Sequence, residues 1–277
     1  MDVRLIQVAY HLGHERTGMG LGPVRYLEAG AAGELTHRGH TVHVEEVRLE
    51  GQASDEVGAV FELNRRLAGV VRQAVADGAF PLVLAGNCSS SLGILAGLAE
   101  PDIGIVWFDA HGDFNTPETT RSGFFDGMAL AVATGRCWRE LAASVPGFTA
   151  VGEERVLLVA ARDLDPAERR LLESSAVTRV ARAAELEAAL QRLAGSARGV
   201  YLHLDLDALD PEDGRANAYA AAGGFSLAEL EAAIGAVRKR FALRGAALTA
   251  YDPAADASGR ACRAGMRLMQ AIVAEDA

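Results

Sequence analysis

The sequence predicts an α/β fold with one central parallel sheet of about eight strands and helices on both faces. Three observations carry that prediction. Short β-type runs alternate with longer helical patterns, as they do where crossover helices join parallel strands. A chain of 277 residues that is 50% hydrophobic and 23% charged has enough apolar mass for one sizeable core. No internal repeat, low-complexity block or linker divides residues 1–277, which read as a single domain.

The elements follow in order. VRLIQVAY (3–10) is the first strand and runs into HLGHERTGMGLGP, a glycine-rich loop that includes His11 and His14. Gly18, Gly20 and Gly22 have the wrong spacing for a dinucleotide fingerprint. TVHVEEV (41–47) is a strand, and VGAVFELNRRLAGVVRQAVADG repeats apolar residues at helical spacing until Gly78. Strands FPLVLAG (80–86), IGIVWFDA (103–110), RVLLVAA (155–161), VTRVAR (177–182) and VYLHLDLD (200–207) come next. SLAELEAAIGAVRKRF is a helix with Ser226 as N-cap and Glu229 three residues later, and AALTAY (246–251) is the last strand. Cys137 and Cys262 read as packing residues in helices.

Composition excludes several functions. The net charge of −10 argues against a nucleic-acid or anionic-membrane surface, both of which need clustered Lys and Arg. No apolar run reaches the length of a membrane span, and MDVRLIQVAYHLGHE lacks the plan of a signal peptide, so a cytoplasmic protein is expected. Cys88, Cys137 and Cys262 are too few and too scattered for a disulfide framework.

In an open parallel sheet, function gathers beyond the carboxyl ends of the strands, where strand-to-helix loops meet. Four such ends carry reactive residues: Asn87-Cys88-Ser89, Asp109-Ala-His111-Gly-Asp113, Asp205-Leu-Asp207-Ala-Leu-Asp210-Pro211 and Tyr251-Asp252-Pro253. Side chains two apart in an extended segment point the same way, about 6.5 Å apart, so Asp109, His111 and Asp113 converge, as do Asp205 and Asp207. Burying these carboxylates together without compensation would cost many kcal/mol, and cations are the economical answer. Oxygen-rich ligation with one imidazole suits manganese, and shared carboxylates would hold two ions roughly 3.5 Å apart. Asp210, before Pro211, reads as a turn former. His203 reads as a hydrogen-bonded core histidine or as a group behind a metal ligand.

DAHGDFNTPETTRSG closely resembles the block Asp-Ala-His-x-Asp-x-Asn, then Thr-Pro-x-Thr-Thr-x-Ser-Gly, of the arginase/agmatinase/formiminoglutamase (ureohydrolase) family. HLDLDALDP resembles the second Asp-x-Asp-x-x-Asp-Pro block, and AGNCS stands where the family has Gly-Gly-Asp-His-Ser. The resemblance implies a three-layer αβα arginase-like fold and two divalent ions, manganese first. It implies that Cys88 and Asp113 complete one metal site, His111 and Asp207 the other, and that Asp109 and Asp205 bridge both. It further implies that a hydroxide between the ions attacks a guanidinium or formimino carbon, releasing urea or formamide and an amine. Asn115, Thr120 and Ser122 match positions that hold an α-carboxylate, and Asp165 matches the carboxylate that holds an α-amino group. An amino-acid-like amidine or guanidine is therefore the expected substrate, and a homo-oligomer, trimer or hexamer, the expected assembly.

The departures from the pattern are informative. Cys88 replaces a histidine ligand, which admits zinc, iron or cobalt and sets five negative charges against four positive. A cysteine here is similar to the hydroxyarginine hydrolase of D-cycloserine biosynthesis, an arginase relative, and implies Nω-hydroxy-arginine as a substrate. Asp126 takes the place of the histidine assigned to proton transfer; with Asp113, also a ligand, it is a candidate catalytic carboxylate. Phe124 replaces an asparagine that contacts the α-carboxylate, Tyr219 offers a hydroxyl or an aromatic wall, and Ala250 replaces the guanidinium-binding glutamate. That loss predicts weak ordinary arginase activity. Two rivals stay open: a formimino- or guanidino-acid hydrolase of the same family, and a metal-binding member without catalysis that serves as a binding or regulatory subunit.

Overall fold

A computed structural model describes residues 1–51 and 55–274. Its strands are β1 (Asp2–Val8), β2 (Tyr10–His11), β3 (His14–Glu15), β4 (Thr41–Glu46), β5 (Phe80–Ala85), β6 (Ile103–Phe108), β7 (Val156–Val159), β8 (Thr178–Val180), β9 (Gly199–Asp205) and β10 (Ala242–Thr249). The helices are α1 (Leu21–Glu28), α2 (Ala31–His37), α3 (Glu56–Ala76), α4 (Ser91–Leu98), α5 (Ala129–Ala133), α6 (Arg139–Ala143), α7 (Pro166–Glu173), α8 (Ala183–Leu193), α9 (Leu227–Arg240) and α10 (Arg260–Val273).

Eight strands form one sheet in the order β4-β1-β5-β10-β9-β6-β7-β8, and every pairing is parallel. All their carboxyl ends therefore lie along one edge. The strands are apolar on both sides because both faces are covered. Along β6, Val106 and Phe108 join the core under α8, α9 and α10, while Ile105 and Trp107 join the opposite core under α3, α4 and α5. The same period-two division separates Leu82 and Leu84 from Val83 and Ala85 in β5. The result is the three-layer arrangement expected. The capping box is present as well: Ser226 Oγ accepts from Glu229 N while Glu229 Oε2 accepts from Ser226 N.

Several strands are shorter than expected, among them β9, which ends at Asp205 and leaves Asp207 in a single 3-10 turn (Leu206–Ala208) and not in the strand. The first strand ends at Val8; Tyr10 and His11 pair instead with Glu15 and His14 in a tight antiparallel hairpin, with Leu12 and Gly13 at positive φ as its turn. Strand β6 ends at Phe108, so Asp109 and Ala110 lie beyond it. Strand β10 begins earlier than its apolar run, at Ala242, with a register shift between Leu243 and Gly245 that accommodates Arg244. Cys137 is buried in the connection between α5 and α6 and not in a helix, whereas Cys262 does lie in α10. No described helix is long and apolar enough to cross a membrane.

Candidate active site

Four adjacent strands, β5, β10, β9 and β6, deliver the site at their carboxyl ends. Cys88 follows β5, Ala250 follows β10, Asp205 ends β9 with Asp207 just beyond, and Asp109 to Asp113 follow β6. The chain does not stay extended through that last segment. Asp113 turns into the left-handed region, with φ 47°, so its convergence with Asp109 and His111 comes from a turn and not from the alternation of a strand. Backbone amides of Leu130 and Ala131 donate to the Asp113 carbonyl and hold the turn. Ala250 is also left-handed, at φ 60°, and each such residue stores about 1–3 kcal/mol of backbone strain.

The carboxylates are held by their own loops. Asp109 Oδ1 accepts from His111 N at 2.7 Å and Oδ2 from the Trp107 indole at 3.0 Å. Asp205 Oδ1 accepts from Asp207 N at 2.8 Å, and Asp207 Oδ1 from Ala110 N at 3.0 Å, which stitches the β9 end to the β6 end. His111 Nδ1 lies 3.3 Å from Asp109 Oδ1 and 3.4 Å from Asp207 Oδ2. Cys88 Sγ lies 3.1 Å from Asp205 Oδ2.

Potential donor atoms fall into two groups, each within 4.8 Å: Cys88, Asp109 and Asp205 in one, Asp109, His111 and Asp207 in the other. Asp109 is common to both. Asp205 falls in the Cys88 group alone and Asp113 in neither, yet Asp113 Oδ2 is buried without a hydrogen-bond partner among the described residues. An orphaned buried carboxylate oxygen beside two oxygen-rich donor groups fits a pair of divalent cations.

The electrostatics point the same way. Burial, then the charges of Asp109, Asp126 and Asp205, pushes Asp113 far above the usual carboxylate range. Burial, then Asp207 and Asp109, does the same to Asp205. Burial opposes the charged form of His111, but Asp109 and Asp207 outweigh it and pull its pKa up. Burial likewise opposes ionisation of Asp207, and the His111 contact wins, holding its pKa down. Burial, then Asp205 and three further carboxylates, raises the Cys88 thiol well above its ordinary value. Burial and mutual repulsion thus favour the protonated forms of Asp113, Asp205 and Cys88, a cost that a divalent cation would remove.

Above this floor opens a cavity of about 320 Å³. Asn115, Thr120, Ser122 and Phe124 line it from the loop after β6, Asp165 from the start of α7, Tyr219 from the loop before α9 and Ala250 from the end of β10. Thr120 Oγ1 accepts from Gly123 N and Ser122 Oγ from Phe124 N, which leaves both hydroxyl protons to donate. Asp165 sits at the N-cap of α7 with no side-chain cap bond, 3.8 Å from Arg121 Nη1. Phe124 and the exposed Tyr219 face each other across 6.0 Å at the mouth, and His11 meets Phe124 edge-on at 6.4 Å. Asp126 is buried on the cavity wall, and its carboxylate accepts from Asn87 Nδ2, Cys88 N and Ser89 N at 2.8, 3.0 and 2.7 Å. It therefore grips the segment that carries Cys88. Burial raises its pKa and those bonds partly offset the rise.

Several lining and supporting residues are not evident from spacing alone. Glu168, one helical turn beyond Asp165, is buried on the cavity wall and accepts from Phe114 N at 2.9 Å; its position in ARDLDPAE is the signal that could have found it. Asn217 Nδ2 donates to Asp207 Oδ2 and to the Ala250 carbonyl, tying the β9 and β10 ends together. Arg162 donates to the carbonyls of Ala221 and Asp207 and clamps the loop that carries Tyr219. Asp210 is the turn former expected, its carboxylate accepting from Glu212, Gly223 and Gly224 amides. His203 is buried, hydrogen-bonded and neutral, burial driving its pKa down to about 3.

The Arginase family model matches residues 1–274. An arginase of Brevibacillus brevis is 30% identical over 98% of this chain and 97% of its own length, and one of Bacillus caldovelox is 30% identical over 99% and 98%. The crystal structure of an arginase from Bacillus subtilis superposes with a TM-score of 0.90 at 28% identity, covering 100% of this chain and 99% of that one. Fold, donor set and relatives together define a hydrolase acting on linear amidines. The chain belongs to the arginase family, which is built around a dinuclear metal site.

Proposed function

We propose that the protein hydrolyses the guanidino C–N bond of a small amino-acid-like guanidine, with Nω-hydroxy-arginine preferred over arginine. The observation that carries this reading is the pairing of two donor groups sharing Asp109 with a cavity that Asn115, Thr120, Ser122 and Asp165 also line. Asp109, His111, Asp205 and Asp207 would hold the cations with Cys88 and Asp113, manganese at the His111 end and manganese or a softer ion (zinc, iron or cobalt) at the Cys88 end. When bound, two such cations make water acidic enough to be a nucleophile at neutral pH and stabilise the charge that builds up on the attacked carbon's substituents.

The chain's own residues do the rest. The hydroxyls of Thr120 and Ser122 and the amide of Asn115 supply donors for a carboxylate, and Asp165 supplies an acceptor for an amine. We assign proton transfer to the departing amine to Asp126, a carboxyl on the cavity wall beside the Cys88 segment. Ala250 leaves its stretch of the wall without an anion. An N-hydroxyguanidine is less basic than a guanidine and depends less on a carboxylate there, which supports the hydroxylated substrate.

The test is release of urea, hydroxyurea or formamide from arginine, Nω-hydroxy-arginine, agmatine, guanidinobutyrate and formiminoglutamate by protein loaded with manganese, zinc or cobalt. The highest kcat/KM is expected for Nω-hydroxy-arginine. Metal-bound protein that turns over none of them would instead be a binding subunit.

A further inference from the structure

A file of polar side chains runs through the apolar layer behind Cys88. The Cys88 sulfur lies 3.2 Å from Thr249 Oγ1, at the end of β10. Thr249 Oγ1 lies 3.3 Å from His203 Nε2, and His203 Nδ1 lies 2.8 Å from the Tyr201 hydroxyl. Cys88 is 2% exposed, Thr249 1%, and His203 and Tyr201 0%, so bulk solvent does not reach the file. The imidazole is stacked on Trp107 with ring centroids 3.5 Å apart and planes 13° from parallel, which fixes its orientation.

Counting protons sets the direction of the file. Among the described residues, the Tyr201 hydroxyl has one partner, His203 Nδ1, and a buried O–H proton without an acceptor is costly. Tyr201 therefore donates to Nδ1. A neutral imidazole that accepts at Nδ1 carries its hydrogen on Nε2, which then donates to Thr249 Oγ1. Thr249 has one proton left to give. Its acceptors are the Cys88 sulfur at 3.2 Å and the Leu204 carbonyl at 3.5 Å, and the sulfur is the nearer. The file ends in a donor aimed at the cysteine.

We propose that Thr249, aimed by His203 and Tyr201, is a positioning residue that hydrogen-bonds the Cys88 sulfur and orients it toward the metal pair. The inference rests on the reading of Cys88 as a ligand. A hydrogen bond to a metal-bound sulfur fixes its direction and withdraws charge from it, and charge is in excess where a thiolate joins four aspartates. Threonine at this position does what an isosteric valine could not.

The experiment uses the full chain loaded with cobalt(II), whose thiolate complexes show a sulfur-to-cobalt charge-transfer band in the near ultraviolet, with cobalt content measured alongside. Wild-type protein should show the band and Cys88→Ser should lack it. Thr249→Val should move the band to lower energy and weaken cobalt retention about tenfold, the scale of losing a group behind a ligand. Thr249→Ser should restore both. Tyr201→Phe should move the band the same way by less, because His203 is then free to change tautomer. A band identical in wild type and Thr249→Val overturns the proposal while leaving Cys88 as a ligand. Cobalt-loaded wild type without any such band removes Cys88 as a ligand and the proposal with it. Should Thr249→Val fail to fold, Tyr201→Phe decides alone, and an unshifted band there overturns the proposal.

Discussion

The two sides of the site are built differently. On the β6–β9 side, Asp109, His111, Asp205 and Asp207 hold one another through backbone and side-chain bonds, and all four stand in the family pattern. On the β5–β10 side lie Cys88 and Ala250, and Asp126 grips the Cys88 segment from outside. The first side carries Asp109, the carboxylate common to both donor groups, whereas the second adds Cys88 to one group and Ala250 to the cavity wall. The contrast teaches that the β6–β9 ends build a floor of carboxylates that hold one another, whereas the β5–β10 ends are held from outside, by Asp126 and Asn217.

The contrast breaks most directly at Asp109. Asp109→Asn puts a neutral amide where both donor groups share a charge, and a turnover loss of about a thousandfold is expected, the scale of removing a main electrostatic stabiliser. Elemental analysis should show metal content falling with it. Full retention of metal and rate would mean that the β6–β9 side is not the reactive half.

Glu168 sharpens the same side, because it braces the loop after β6 through Phe114 N and lies against Gly112. Burial pushes its pKa from 4.5 up to about 7. A carboxyl raised in this way favours the fold fully below pH about 4.5, where it is neutral in both states. That contribution is lost as pH rises through about 7, because only the unfolded chain ionises freely. The loss is up to about 3 kcal/mol. Glu168→Gln keeps an acceptor for Phe114 and removes the ionisation. In urea unfolding of metal-free protein, the variant should gain on wild type by up to about 3 kcal/mol between pH 4.5 and 8; equal pH slopes would contradict this.

On the other side, Ala250→Glu returns an anion to the wall. Ala250 already occupies its left-handed conformation, so the change adds a charge without asking for a new backbone shape. Charge-assisted bonds to a guanidinium are worth about 1.5–3 kcal/mol, so kcat/KM for arginine should rise about ten- to a hundredfold. No gain for arginine would show that residue 250 does not face the reacting group.

How far the sequence was legible depended on whether a feature was local. All eight sheet strands and the Ser226–Glu229 box could be read because their signals lie within one run of residues. The clustering of Asp109, His111, Asp205 and Asp207 was legible because parallel strands must deliver their ends to one edge. The turn at Asp113 was not, since nothing in HGDFN distinguishes an aspartate in the left-handed region from one in a strand. Neither were Asn217, which bonds to a carbonyl 33 residues away, or Thr249, whose partners His203 and Cys88 lie on two different elements. Those contacts exist only after the sheet has ordered its strands, and no residue spacing encodes them.

The smallest effect, and the sharpest on the comparison, is expected at Cys88 itself. Cys88→His restores the neutral imidazole of the family pattern, removing one negative charge from a site where burial and four carboxylates already oppose the thiolate. Imidazole also suits manganese better than sulfur does. Manganese affinity should rise by at least the roughly tenfold that changes behind a ligand achieve, while zinc and cobalt lose their advantage. Equilibrium dialysis against manganese and zinc measures both. If the two affinities stay unchanged, Cys88 does not ligate, and the β5–β10 side departs from the family in substrate contacts alone.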